Sequence, residues 1–140
     1  MAGWLPHKTI DESRAVLDMF IRGKKTFAIE LKETGHVIGS VGIEEPDPDP
    51  EAEKLGREIG YALHKSYWGK GLMPEAANRV IVWCFEELGL DYLTCGHFDW
   101  NMQSSRVIEK TGFRYFGTSP FTTQYGKVET SLNYILYNKR

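Results

Sequence analysis

The ten residues from Ser66 to Glu75, Ser-Tyr-Trp-Gly-Lys-Gly-Leu-Met-Pro-Glu, have the composition of an anion-binding loop. Gly69 and Gly71 can bend the backbone so that successive N–H groups point to one spot. A long helical pattern begins directly after them, so the unpaired N–H groups and the positive dipole end of that helix face the same spot. The chemistry expected here is binding of a phosphate or pyrophosphate group.

Two common phosphate-binding patterns do not fit this loop. The P-loop requires Ser or Thr after its Gly-Lys pair, and Gly71 follows Lys70 here. The dinucleotide pattern requires a third glycine where this chain has Pro74. On spacing alone, two ordinary turn glycines explain the loop equally well.

A second polar segment runs from Asn101 to Phe113, with the sequence Asn-Met-Gln-Ser-Ser-Arg-Val-Ile-Glu-Lys-Thr-Gly-Phe. Asn101 is a favoured N-cap residue, Ser104 lies one helical turn further on, and Gly112 suits the left-handed residue that ends a helix. From these residues alone, a capped helix on the surface is the simpler interpretation.

Apolar periodicity places both segments between regular elements. The predicted elements, in order, are a helix (11–22), a hairpin of two strands (26–32 and 37–43), a strand (57–64), a helix (73–88), a strand (92–99), a helix (101–111) and two strands (113–117 and 128–137). This order predicts an α/β (α+β) fold with a mixed, mostly antiparallel central sheet flanked by helices. A right-handed crossover should make strands 57–63 and 92–98 parallel. The length of 140 residues predicts a single domain, 1–140.

Composition narrows the range of partners. Lys and Arg number 17 and Asp and Glu 19, a net charge of −2, which argues against nucleic acid or an anionic membrane surface as a partner. No apolar run approaches the length of a membrane helix, and no signal peptide is visible, so a cytoplasmic location is expected. Cys84 and Cys95 show neither metal-ligand spacing nor a disulfide framework, so no metal is expected.

Taken together, the two polar segments resemble the GNAT superfamily of acetyl-CoA-dependent N-acetyltransferases. The resemblance lies in Trp68-Gly-Lys-Gly-Leu-Met-Pro-Glu-Ala76 followed by Asn-x-x-Ser-x-x-Val-x-x-Lys-x-Gly-Phe113. Glu58-Ile-Gly-Tyr-Ala-Leu63 and Cys95-Gly-His-Phe-Asp99 are similar to the branch that acts on the N-termini of ribosomal proteins. The opening segment Gly3-Trp-Leu-Pro-His7 resembles a segment that normally follows the family's first strand and helix. There is no room for that strand and helix before Gly3. The resemblance therefore predicts a GNAT fold with this first strand and helix missing.

The resemblance also implies how acetyl-CoA is bound. The acetyl-pantetheine arm would lie in a gap where strand 57–63 splays from strand 92–98, and the side chain of Asn101 would hold its end. Lys70 would add positive charge beside the pyrophosphate. The backbone amides expected to bind the pyrophosphate are those of Trp68, Gly69, Lys70, Gly71, Leu72 and Met73.

The reaction that the resemblance implies is direct attack of a neutral amine on the thioester. Glu58, beside the gap, is the first candidate for the general base, and His97 and Asp99 are weaker ones. The N–H near Leu63 would stabilise the oxyanion, and Ser104 would donate to the departing thiolate. The aromatic residues near the loop, Tyr61, Tyr67 and Trp68, are interpreted as core or pocket wall.

The sequence leaves three functional hypotheses open. The first is the N-acetyltransferase, with a small-molecule or peptide amine as acceptor and a homodimer through the C-terminal strands. The second is a non-catalytic acyl-CoA-binding relative, suggested by the short N-terminal region. The third is a regulatory module that binds a nucleotide phosphate, which the failure of both phosphate patterns disfavours.

Overall fold

The computed structural model describes residues 25–46, 50 and 53–139. The predicted helix 11–22, and the expectation of a missing first strand and helix, lie outside these residues. Within them, the chain forms six strands and two α-helices. Their bounds are β1 (Thr26–Glu30), β2 (Val37–Glu44), β3 (Gly56–Leu63), α1 (Leu72–Glu86), β4 (Tyr92–Phe98), α2 (Met102–Lys110), β5 (Arg114–Thr122) and β6 (Val128–Tyr137).

The six strands form one mixed sheet in the order β1-β2-β3-β4-β6-β5. The pair β3–β4 is parallel, and the other neighbouring pairs are antiparallel. The predicted mostly antiparallel sheet, the hairpin β1–β2 and the parallel crossover from β3 through α1 to β4 are therefore confirmed.

Both helices pack on the sheet through one apolar core. The predicted stripe of α1 buries Met73, Ala77, Ile81 and Cys84. Helix α2 adds Val107 and Ile108 to the same core cluster. The strands contribute Ile59 of β3 and both Leu93 and Cys95 of β4 to this core cluster. Helices α1 and α2 thus share one core with the two strands between which the gap is expected.

Strand β5 is longer than the sequence predicted. The prediction ended it at residue 117, whereas the structure continues it to Thr122 and pairs Pro120 with Thr130 of β6. Proline lacks the N–H that a central strand must donate, but β5 is the edge of the sheet, so the missing donor costs no ladder hydrogen bond. The prediction of a loop at Pro120 was wrong for this reason.

Strands β3 and β4 separate after a short parallel ladder. Their pairing covers Gly56 to Glu58 of β3 and ends at the pair Glu58–Thr94. Strand β3 stays paired with β2 as far as Leu63, and β4 stays paired with β6 as far as Phe98. A gap therefore opens between residues 59–63 and 95–98, where the resemblance places the acetyl-pantetheine arm.

We expect Gly56→Ala to destabilise the closed end of this gap. Gly56 faces Tyr92 across the ladder, and a Cβ atom at Gly56 would overlap the Tyr92 ring. Overpacking of this kind should lower the free energy of unfolding by about 1–3 kcal/mol. Gly60 lies on the same face of β3, and a Cβ there meets nothing within 4 Å, so Gly60→Ala is the matched control. Urea unfolding followed by circular dichroism measures both variants, and equal stabilities would contradict the prediction.

Candidate functional site

Along residues 59–63, the edge of β3 that faces the gap has no ladder partner on β4 within the described part of the chain. His64 N–H donates to the Ile38 carbonyl of β2 at 2.8 Å. Because N–H directions alternate along an antiparallel strand, Leu63 N–H points away from β2 and into the gap. The Leu63 carbonyl faces the same way and accepts a hydrogen bond from the Trp68 indole at 2.8 Å. An extended amide chain can pair with such an edge as an added strand does.

The loop after β3 begins with a short 3-10 turn that holds Trp68 in place. His64 Nδ1 caps the turn by accepting from Ser66 N–H at 3.2 Å. Trp68 N–H donates to the Lys65 carbonyl at 3.1 Å. Both the backbone N–H and the indole N–H of Trp68 are therefore used inside the protein. Trp68 stabilises the loop, and its amide is not presented to a ligand as the sequence analysis expected.

The next five residues, 69–73, do present their backbone amides. Gly69 and Gly71 have φ angles of +75° and +76°, and no side chain caps α1, whose N-cap is Gly71. Among the described residues, no hydrogen-bond acceptor is found for the N–H groups of 69–73. A Cβ atom at either glycine would meet nothing within 4 Å, so the loop borders open space. Together with the dipole of α1, this arrangement is suited to an anion.

The first turn of α2 contacts the open part of β3. Asn101 caps the helix as predicted, since its Oδ1 accepts from Ser104 N–H at 3.2 Å. The cap uses only the side-chain oxygen, which leaves the NH₂ group as the part of Asn101 suited to a ligand carbonyl. The Ser104 hydroxyl lies 2.7 Å from the hydroxyl of Tyr61 on β3. The open part of β3 and the first turn of α2 are thus joined by a hydrogen bond.

The sequence analysis did not assign Tyr61 a role beyond core or pocket wall. Its hydroxyl also donates to the Ser104 carbonyl at 3.0 Å. Burial raises the pKa of Tyr61 well above its ordinary value, and the nearby Cys95 raises it further, so the phenol stays protonated. A tyrosine on the core-facing side of a strand needs a partner for its O–H group, so the sequence indicated that a partner exists but not which residue it is.

Glu58 lies at the point where the two strands part, opposite Thr94. It stands three residues before Tyr61, so its side chain points to the opposite face of the sheet. The pKa of the Cys95 thiol is raised to about 12, mainly by burial and secondly by the negative charge of Glu58. Thr94 is 2% exposed, and its hydroxyl finds no hydrogen-bond partner among the described residues. Its hydroxyl is therefore a buried polar group opposite Glu58 that an enclosed water molecule could satisfy.

The geometry does not favour His97 as a base. Its Nδ1 lies 2.7 Å from the Phe98 carbonyl and must donate to it, so Nε2 accepts from the Tyr134 hydroxyl at 3.1 Å. Both ring nitrogens of this buried histidine already have partners. Asp99 follows the end of β4 and is exposed to solvent.

Two general features of the described residues complete the description of the site. No group of three or more His, Cys, Asp or Glu side chains among them is arranged to hold a metal ion. None of their helices combines the length and the apolar character that crossing a bilayer requires.

Comparison with known families decides what this arrangement is. The family model "Acetyltransferase (GNAT) domain" matches residues 1–114. The chain belongs to the GNAT acetyltransferase family. The resemblance seen in the glycine loop and the capped helix is thereby confirmed, and the parting strands β3 and β4 are part of a GNAT domain. Enzymes of this family use acetyl-CoA as the acetyl donor.

Relatives of this GNAT chain are named as N-acetyltransferases. It is 31% identical over 109 residues to the uncharacterized N-acetyltransferase p20 of Bacillus licheniformis, covering 76% of this chain and 58% of that protein. It is 44% identical over 59 residues to a probable N-acetyltransferase of Bacillus subtilis, covering 42% and 33% of the two proteins. The chain therefore spans less than two thirds of the length of these relatives.

Solved structures share the fold of this GNAT domain. A GNAT acetyltransferase from Bacillus anthracis matches with a TM-score of 0.80 at 22% identity, over 94% of this chain and 76% of that one. A ribosomal-protein-S5-alanine acetyltransferase from Vibrio fischeri matches with a TM-score of 0.75 at 22% identity, over 99% and 80% of the two chains. These similarities establish the fold and do not identify the acceptor of this chain.

Proposed function

We propose that the protein transfers the acetyl group of acetyl-CoA to a primary amine by direct attack of the amine on the thioester. The observation that supports this most is the separation of β3 from β4 after Glu58. The amides of residues 69–73 follow the open part of β3 in the chain, and Ser104 of α2 contacts Tyr61 on that part of β3.

Acetyl-CoA has a place for each of its parts along these residues. The pyrophosphate would rest on the amides of Gly69, Lys70, Gly71, Leu72 and Met73, with the Lys70 side chain adding positive charge. The pantetheine arm would pair with β3 in the gap, and the Asn101 NH₂ group would hold its end. Trp68 acts indirectly in this arrangement, because its indole fixes the end of β3 through Leu63.

The two candidate catalytic side chains lie on opposite faces of the sheet. Glu58, directly or through a water molecule, would take the proton of the attacking amine. The Leu63 N–H, which points into the gap, would stabilise the oxyanion. Ser104, on the face of α2, would donate to the departing thiolate. The amine therefore enters from the Glu58 face, and the sulfur leaves towards α2.

The acceptor is a small-molecule or peptide amine. An α-amino group has a pKa of about 7.7–8.0, against about 10.4 for a lysine side chain, so an α-amine needs less help to reach its neutral form. The fold is shared by a ribosomal-protein acetyltransferase and by a spermidine N-acetyltransferase chimera, so it accommodates both acceptor classes in those proteins.

Calorimetric titration with acetyl-CoA, followed by a thiol-release assay over a panel of amines, tests the proposal. We expect saturable acetyl-CoA binding and release of CoA with at least one amine. Absence of CoA binding by the full chain would refute it. Tight CoA binding without turnover of any amine would instead support the non-catalytic acyl-CoA-binding relative, and turnover that falls sharply in Ser104→Ala would exclude that alternative.

The protein's own thiols should be silent in this assay. Burial raises the pKa of Cys84 to about 11 and, with the Glu58 charge, that of Cys95 to about 12. Both thiols are therefore protonated and inaccessible at about pH 8, where the thiolate is the reactive form. We expect a disulfide reagent to react with neither thiol in the native protein and with both thiols after unfolding in guanidinium. Rapid native reaction would contradict the burial of both residues.

We further propose a cytoplasmic location and a homodimer. Buried free thiols such as Cys84 and Cys95 are typical of a reducing compartment. Strand β5 is an open edge of the sheet with exposed Tyr115, Phe116 and Phe121, and an open edge of this kind can pair with a second chain. Light scattering on the purified chain measures the mass that decides between monomer and dimer.

A further inference from the structure

We propose that Tyr61 is a positioning residue for Ser104, and that their two hydroxyls form one hydrogen-bond relay directed at the departing CoA thiolate. This inference rests on the proposed acetyl transfer and adds a residue to it. Tyr61 lies on β3 and Ser104 on α2, 43 residues apart in sequence, and the contact between them joins the open part of β3 to the first turn of α2. The relay therefore lies where β3 and α2 approach each other, which is where the proposed binding of acetyl-CoA would place the thioester.

The geometry gives the pair two alternative hydrogen-bonding states. Tyr61 has one proton and two Ser104 oxygens within reach, the carbonyl at 3.0 Å and the hydroxyl at 2.7 Å. When the Tyr61 proton points to the carbonyl, the Ser104 hydroxyl must donate to Tyr61, so the serine proton is already in use. When the Tyr61 proton points to the Ser104 hydroxyl, the serine proton is released for another acceptor.

An anion in the gap favours the second state. A thiolate next to Ser104 attracts the serine proton, and a hydrogen bond to a charged acceptor is stronger than one to a neutral hydroxyl. The Tyr61 O–H then turns from the Ser104 carbonyl to donate a hydrogen bond to the serine oxygen, which makes the serine a better donor. The Ser104 backbone does not need to move for this, because its N–H is held by Asn101.

The relay donates hydrogen bonds and gives up no net proton. The C–N bond forms, the C–S bond breaks, and the proton of the amine goes to the base on the opposite face. CoA leaves as a thiolate, which afterwards takes a proton from solvent. Because burial raises the pKa of Tyr61, loss of its proton to Ser104 is unfavourable, and both hydroxyls end the reaction as they began it.

A double-mutant cycle in kcat tests the relay. Ser104→Ala should lower kcat by about 10²-fold, the lower end of the range for a positioned donor. Tyr61→Phe keeps the ring and removes one hydroxyl, and should lower kcat by roughly 10-fold with little change in KM for acetyl-CoA. If the hydroxyls act as one unit, the double variant should be no slower than Ser104→Ala alone. Multiplied losses in the double variant would overturn the relay.

Two variants separate the relay from a purely structural role. Tyr134→Phe removes another buried tyrosine hydroxyl, the one that donates to His97, and should leave kcat unchanged. Site-specific 3-fluorotyrosine at position 61 keeps the hydroxyl and should retain most of the wild-type kcat. Equal losses in Tyr61→Phe and Tyr134→Phe, or failure of the fluorotyrosine variant to retain activity, would overturn the inference.

A second readout does not depend on turnover. The ultraviolet absorbance of bound CoA, measured against a CoA analogue that lacks the sulfur, follows ionisation of the thiol with pH. We expect the bound thiol to ionise at a pH roughly one unit lower in the wild type than in Ser104→Ala, with Tyr61→Phe in between. A Tyr61→Phe curve identical to the wild-type curve would refute the relay while leaving CoA binding intact. Loss of the proposed function would appear differently, as no CoA binding or no turnover in the wild type.

Discussion

Glu58→Gln is expected to lower kcat by about 10²–10⁴-fold, the range that removal of a general base produces. Glutamine keeps the size and the hydrogen-bonding reach of the side chain but cannot take the proton of the attacking amine. Acetyl-CoA affinity should change little, because the residue faces the side of the sheet opposite α2. The deficit should shrink at alkaline pH, since more of the amine is then neutral without help. Thiol release measured across pH, together with calorimetric titration, checks each part of this result.

Glu44→Gln is the matched control for this variant. Glu44 of β2 is the register partner of Glu58, so the two carboxylates lie side by side on one face of the sheet. Removing either one changes the net charge by the same amount at nearly the same place. A general base predicts a large loss in Glu58→Gln alone. Similar losses in both variants would assign the effect to the local negative potential, and near-normal activity in Glu58→Gln would mean that another group takes the proton.

The sequence predicted best those features that local chemistry determines. Gly71 ends a loop and begins a helix, and its positive φ follows from the freedom that glycine alone has there. The Asn101 cap on Ser104 spans one helical turn, so residue type and spacing sufficed to predict it. The parallel pairing of β3 with β4 followed from the helix that connects the two strands, which needs only the order of the elements.

Features that depend on tertiary register could not be predicted. The contact between Tyr61 and Ser104 joins residues on different elements, and only the separation of β3 from β4 brings the two hydroxyls together. The Thr94 hydroxyl lacks a hydrogen-bond partner because of the residues that surround it in the folded sheet, and the sequence does not show which residues these are. The same holds for His97. Its contact with Tyr134 of β6 argues against a role as the base, and no sequence motif indicates that contact.

Gly71→Val should weaken acetyl-CoA binding by about 10²-fold or more. A β-branched residue at a φ of +76° is strained, so the loop must change its conformation and withdraw amides from the pyrophosphate. Each hydrogen bond to a charged group contributes about 1.5–3 kcal/mol, and losing two of them accounts for the expected change in affinity. Calorimetric titration gives the dissociation constant directly, and thiol release at saturating acetyl-CoA should recover much of the lost rate, because Glu58 and Ser104 are untouched.

Gly126→Val separates loop strain from loss of the anion site. Gly126 lies between β5 and β6 with a φ of +83°, and a Cβ atom there also meets nothing within 4 Å. The two substitutions therefore impose the same kind of backbone strain in similarly open surroundings, and thermal unfolding should show comparable destabilisation. Only Gly71→Val removes amides from the surface that leads to the gap, so only its dissociation constant should rise. Equal affinities in the two variants would show that the pyrophosphate binds elsewhere, and the orientation of acetyl-CoA along β3 would have to be abandoned with it.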